Sequence, residues 1–324
     1  MREAVFIKQN LRKWKEYEQV IDSAEDESPD RLADIYTDLT ADLAFAQTQY
    51  PKSRVTEYLN GLALLLHNSI YDGRREKWSR IKDFWLYEVP RAVYDSRKAL
   101  WISLVVFLVS TAMGVISQLG DSDFARVILG DYYVDMTIRN IQSGHPTDVY
   151  NTQSQMPMFL SIAYNNIMVS FNGFVLGIFT SLMPGYYLFA NGIMFGCFSF
   201  FFYEYGVFGE SLLTVMQHGT LELSAIVIAC GAGITMGNSW LFPGTYSRMR
   251  AFLMGAKRGM KIVIGLVPVF LVAAFIEGFF TRKTGLPIAI RIAVVVISAA
   301  YIIGYFIVWP AILHRRSTKK TEQQ

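Results

Sequence analysis

His218, Glu222, Glu277 and Arg291 each stand inside a long apolar stretch of the sequence. If such a stretch spans a membrane, an ionisable group in it is costly, so it turns toward a bundle interior and binds, relays or braces something. His218 and Glu222 are four residues apart, which puts an imidazole and a carboxylate on one helix face. Glu277 brings a second carboxylate, Arg291 a cation, and Asn165 and Asn166 bring amides in a further apolar stretch. These groups can hydrogen-bond helix to helix, as polar side chains in bundles ordinarily do. They can also relay protons or bind a transported substrate, since His and Glu are usual relay residues in spans. Metal ligation by His218, Glu222 and Glu277 is the weakest reading, because there is one histidine and none of the tighter ligand spacings; no metal and no cofactor is expected. Hydrolysis has no better footing, with no HExxH and no Ser–His pair with an obvious third partner.

Composition narrows the class. The chain has 324 residues, of which 52% are hydrophobic and 18% charged, with a mean hydropathy of +0.27. The charges crowd into residues 1–98, and long stretches beyond residue 99 have none. A net charge of +3 is too small to argue for nucleic acid, so none is expected as a partner. Cys197 and Cys230 lie in apolar runs and read as packing residues, not as a disulfide or a metal motif.

The elements that must position the polar groups follow from periodicity and hydropathy. In residues 1–98, Val5, Phe6, Leu11, Trp14, Tyr17 and Ile21 recur at helical spacing. Ser28 followed by Pro29 reads as an N-cap, opening a second helix with Leu32, Ile35, Tyr36, Leu39, Leu43 and Ala46 on one face. A third follows, with Val55, Tyr58, Leu59, Leu62, Leu65 and Leu66. The segment 74–98 mixes Lys and Arg with Trp78, Phe84, Trp85 and Tyr87, and reads either as an amphipathic interface helix or as a fourth helix of the N-terminal domain.

Six spans are expected near 99–119, 159–183, 186–203, 212–236, 262–280 and 288–312, followed by a polar tail at 313–324. Pro184 and Gly185 read as the tight turn between the second and third spans, and residues 238–261 as a basic loop. Segment 120–158 is polar and Asp-rich, with Phe124, Val127, Ile128, Tyr132, Met136 and Ile138 suggesting a short amphipathic helix. The fold class is therefore all-α: a polytopic transmembrane bundle with an N-terminal cytoplasmic helical domain.

Orientation follows from Lys and Arg placement. Arg91, Arg97 and Lys98, then Arg248, Arg250, Lys257, Arg258 and Lys261, and finally Arg315, Arg316, Lys319 and Lys320 fall on one side, the cytoplasm. Both termini lie there and 120–158 lies outside; Arg282 and Lys283 are the exception. On this topology Asn165, Asn166, His218, Glu222, Glu277 and Arg291 share one layer in the outer half of a cell-membrane bundle. His67, His145 and His314 fall outside the spans and read as solvated or locally satisfied.

Small residues complete the picture. The face of His218 and Glu222 continues as Ala225, Ala229, Gly233 and Gly237. The second span has a matching stripe of Asn166, Ser170, Gly173, Gly177 and Ser181, and the third has Asn191, Gly192 and Gly196. Such stripes let helices approach closely, within one chain or between two copies, so a homodimer is open.

These residues resemble the stage II sporulation protein M family. HGTLELSAI at 218–226 resembles its HGxxE signature, VFLVAAFIEGFFT at 269–281 its later Glu-bearing span, and 165–196 its Asn- and Gly-rich hairpin. IYTDLTADLAFAQTQYP at 35–51 and YLNGLALLLHNSIY at 58–71 resemble its cytoplasmic helices. The namesake belongs to a complex with cell-wall-degrading partners that drives membrane migration during engulfment. The resemblance carries over His218, Glu222 and Glu277. It implies a membrane scaffold or assembly component in contact with lipid and with other membrane or cell-envelope proteins. A transporter or channel using the His/Glu site is the rival, and an intramembrane metal-dependent enzyme the weaker alternative.

Overall fold

The computed structural model describes residues 3–22, 27–71, 78–143, 155–281 and 286–321. The expectations for His145 and for Arg282 and Lys283 lie outside these residues. Among the described residues every regular element is helical, and two compact units form, Met1–Lys82 and Asp83–Gln324.

In the first unit, α1 (Glu3–Asp22), α2 (Pro29–Gln49) and α3 (Arg54–Tyr71) bury one apolar stripe each. Ser28 caps α2, its hydroxyl accepting from the Arg31 amide. Trp14, Leu39, Ala46, Leu59 and Leu66 form the centre of the core. Val5, Leu11 and Leu65, which the stripes also included, are exposed, because each stripe is wider than the face its neighbours cover. Polar bonds tie α1 to α2: Trp14 Nε1 donates to Asp42 at 2.8 Å, and Lys13 pairs with Asp38 and Asp42 at 2.9 and 2.6 Å.

Tyr17 Oη donates to Asp38 at 2.6 Å. That bond, then the Lys13 ammonium, holds the Asp38 carboxyl below its ordinary value of 3.8. A carboxyl depressed on folding contributes stability above its unfolded value and loses it as pH falls through the folded one. The urea midpoint of a 1–82 fragment is therefore expected to fall as pH drops below about 4, and Asp38→Asn is expected to flatten that decline.

The second unit is a bundle of six helices long and apolar enough to cross a membrane: Arg97–Gly120, Met156–Ile178, Leu182–Glu204, Phe208–Leu241, Arg248–Thr281 and Ile288–Thr318. The helical segments within them are α6 (Arg97–Gly120), α9 (Gln155–Val175), α10 (Leu182–Glu204), α11 (Phe208–Leu241), α12 (Arg248–Phe275), α13 (Ile288–Ile303) and α14 (Trp309–Thr321). α11 is the central member, in contact with α6, α9, α10, α12 and α13. Small and apolar residues enclose it: Ala225, Ala229, Cys230 and Ala232 are fully buried.

Three boundaries differ from the hydropathy reading. α12 begins at Arg248, not near 262, because its basic first turns are helical without being apolar; Ser247 caps it by accepting from the Arg250 amide. Pro184 and Gly185 lie inside the first turns of α10, where a proline lacks no helical partner, and the turn falls before Leu182. Segment 120–158 contains two helices, α7 (Phe124–Leu129) and α8 (Asp131–Gln142), broken at Gly130, whose φ of 86° suits glycine. Ala125 and Val134 from this pair pack with Cys197, Phe201 and Phe202 at the end of α10.

After α4 (Trp78–Asp83), α5 (Val89–Asp95) buries Val89, Ala92 and Val93 in the core of this same unit, while Leu86 and Tyr87 just before it stay exposed. A π turn over Phe84–Glu88 leaves carbonyls that accept from the C-terminal helix region: Tyr305 Oη bonds Trp85 O at 2.6 Å and Trp309 Nε1 bonds Leu86 O at 2.8 Å. His314 stacks on Tyr94 with ring centres 4.1 Å apart.

Candidate functional site

α9, extended by a 3-10 turn at Leu176–Ile178, meets α11 along the two stripes of small residues. Gly177 faces the Gly233 backbone, and Gly237 faces Ser181. Asn166 meets Glu222 with the same offset of 56 residues, so the helices run parallel and in one register. A methyl at Gly177 would overlap the Gly233 carbonyl, so the two backbones are in contact there. α10 uses its own stripe differently: Gly192 faces Ser110 and Phe107 of α6, and Gly196 faces Thr111. The stripes are thus occupied by helices of the same chain.

This register brings the polar groups together. His218, Glu222 and Glu277 each present one ligand atom, and the three atoms lie within 4.8 Å of one another. Asn166 Nδ2 donates to Glu222 Oε1 at 2.5 Å. His218 Nδ1 lies 3.2 Å from Thr281 Oγ1, and the Thr281 hydroxyl donates in turn to the Ile276 carbonyl at 3.3 Å. Thr281 Oγ1 thus bridges the His218 ring and the Ile276 carbonyl; with the threonine hydrogen on that carbonyl, Nδ1–H is the donor and Nε2 the unprotonated nitrogen. Nε2 faces Glu277 Oε1 at 3.9 Å. His218 is buried, with its side chain 5% exposed, and the Glu277 side chain is 12% exposed.

Glu277 and Thr281 sit in a π turn, Ile276–Thr281, that follows α12. Such widened turns recur at functional sites, because they re-aim side chains without breaking the helix.

Two of the expected residues stand apart. Asn165 is exposed, since one step along α9 turns it away from the face that carries Asn166. Arg291 reaches Thr214 and the Glu210 carbonyl instead, one turn of α11 before His218. Thr281 and Thr214 were not singled out in the sequence. Thr281 stands four residues after Glu277, and that spacing was the available signal. A second polar contact was also missed: buried Gln118 donates to Glu204 Oε2 at 2.8 Å and accepts from the Cys197 thiol at 3.3 Å.

Comparison with known proteins now bears on the assignment. The family described as Stage II sporulation protein M matches residues 103–282. Residues 4–72 match a separate family, a domain of unknown function (DUF8413). The segments 35–51 and 58–71, which resembled cytoplasmic helices of the first family, fall under the second. An uncharacterized protein of Methanocaldococcus jannaschii is 25% identical over 206 residues, covering 62% of this chain and 89% of its own length. No solved structure matches.

Proposed function

The chain belongs to the stage II sporulation protein M family, and on that premise we propose that it is a membrane scaffold, a bundle that keeps one shape and offers surfaces to other membrane or cell-envelope proteins. The observation that carries this reading is the backbone contact between α9 and α11 at Gly177 and Gly233. A carrier alternates between two packings of its helices. Helices interlocked glycine to carbonyl favour one packing, because any displacement loses the close contact along the whole stripe.

The basic residues orient the scaffold. Arg91, Arg97 and Lys98, the start of α12, and Arg315 and Arg316 support a topology with both termini in the cytoplasm. α7 and α8 then lie on the far side of the cell membrane. Docking surfaces are available on both sides: Leu64 and Leu65 are exposed on the N-terminal unit, and Val127 and Tyr132 on α7 and α8. Lipid is the third partner, and an apolar groove lined by Leu100, Leu104, Leu223, Ile302 and Phe306 suits an acyl chain.

The test has two arms. Full-length protein in sealed proteoliposomes is expected to pass protons and monovalent cations no faster than protein-free vesicles. Deletion of residues 1–82 is expected to leave the bundle inserted while removing cross-linked partners in native membranes. Flux that Glu222→Gln abolishes would overturn the scaffold reading in favour of a transporter.

A further inference from the structure

We propose that His218, Glu222 and Glu277 bind one divalent first-row transition metal, with zinc suiting the donor set best, and that the ion clamps α11 to the π turn after α12. The sequence argued against a metal because it offers one histidine and no compact ligand motif. The fold supplies what the spacing lacked, by bringing Glu277 from a second element to a His–Glu pair on one helix face.

Three observations converge. First, the imidazole is oriented from behind: Thr281 holds Nδ1, and Nε2 faces Glu277. Metal-binding histidines are set in this way, one ring nitrogen anchored and the other left to the metal. Second, Glu222 is held by Asn166 at one oxygen, so its carboxylate is oriented as well. Third, two carboxyl groups meet the imidazole at one place. Glu222 and Glu277 are only partly exposed, and among the described residues no lysine or arginine is paired with either. Arg291, which the sequence placed in the same layer, goes to Thr214 and Glu210. A divalent ion offsets both negative charges at once and turns repulsion between the ligands into shared attraction.

The distances fit with little movement. Tetrahedral zinc with nitrogen and oxygen ligands has bonds of about 2.0–2.1 Å, placing ligand atoms roughly 3.4 Å apart. The three atoms here lie within 4.8 Å, so small side-chain rotations close the shell. The fourth position is left to water or to a further ligand, as in three-ligand sites generally.

Occupancy is read without any transport or assembly assay, so this inference fails or holds separately from the scaffold reading. The full chain is purified in detergent without chelator and its metal content measured by mass spectrometry. About one equivalent of zinc, manganese, iron or cobalt per chain is expected. Stripping with chelator and adding back Zn²⁺ is expected to raise the unfolding temperature by several degrees. His218→Gln and Glu277→Gln are expected to lose metal about tenfold or more, while Asn165→Ala keeps it. Should those variants fail to accumulate, Co²⁺ added to the stripped wild-type chain carries the test: a four-coordinate nitrogen and oxygen shell gives visible bands stronger than aqueous cobalt does. Protein that is metal-free as purified, unshifted by Zn²⁺, Mn²⁺ or Co²⁺ and without a cobalt spectrum would overturn the proposal. Full metal content retained in both Gln variants would overturn it too.

Discussion

Gly177→Leu is expected to separate α9 from α11 and to destabilise the bundle by about 3 kcal/mol or more. Overpacking a filled interface costs about 1–3 kcal/mol where neighbouring side chains can yield. Here the neighbour is the Gly233 carbonyl and Cα, backbone in the middle of the central helix, which cannot turn aside. Gly185→Leu supplies the control. Nothing lies within 4 Å of a Cβ at that position, and it stands in the first turns of a helix. Its effect is expected within about 0.5 kcal/mol. Reversible unfolding in mixed micelles, titrated with denaturing detergent, reads both variants. Equal stability of the two would mean that α9 and α11 are not held backbone to backbone.

Glu222→Ala is expected to cost about 2–3 kcal/mol, chiefly because the Asn166 amide is left buried without its acceptor. The pair is best measured as a cycle with Asn166→Ala, in chelator, so that any bound metal drops out of all four proteins. Interhelical hydrogen bonds in membranes average only about 0.6 kcal/mol and reach about 1.7. A bond to a carboxylate at 2.5 Å belongs at the upper end, so a coupling of about 1.5 kcal/mol is expected. A double variant whose loss equals the sum of the singles would remove the Asn166–Glu222 bond as a link between α9 and α11.

The two predictions depend on information of different kinds. The glycine stripes were readable as stripes, because helical periodicity fixes which side chains share a face. That the stripe of α9 lies against that of α11, with one offset from Asn166–Glu222 to Ser181–Gly237, was suggested by their likeness and is seen in the fold. The stripe of α10 looked much the same and went elsewhere, against α6. Small residues state that a helix can be approached closely, and they carry nothing about which helix approaches.

Within the site the same division holds. His218 and Glu222 were paired by a local rule, four residues on one helix. Glu277 and Asn166 joined them because α12 runs back past α11 and α9 runs beside it, which is a matter of topology. Asn165 and Asn166 were indistinguishable by type and depth, yet one residue of helical rotation buries the second against Glu222 and exposes the first. Arg291 shared the expected layer but bonds Thr214 and Glu210 instead, since depth sets a level and not an angle around the bundle axis.

The sequence by itself determined the number of spans, the helical class of both units, most of the face each helix would bury, and the one histidine and two glutamates proposed as the site. These are properties of a single helix in a nonpolar solvent, where hydropathy and a fixed 3.6-residue period decide everything. Only the tertiary structure decided which faces meet, in which register, and therefore that three ligand atoms converge where the sequence had placed one pair. The physical reason is that partner choice rests on the fit of whole surfaces, backbone against backbone over several turns. That fit is a global property, carried by no short stretch of residues.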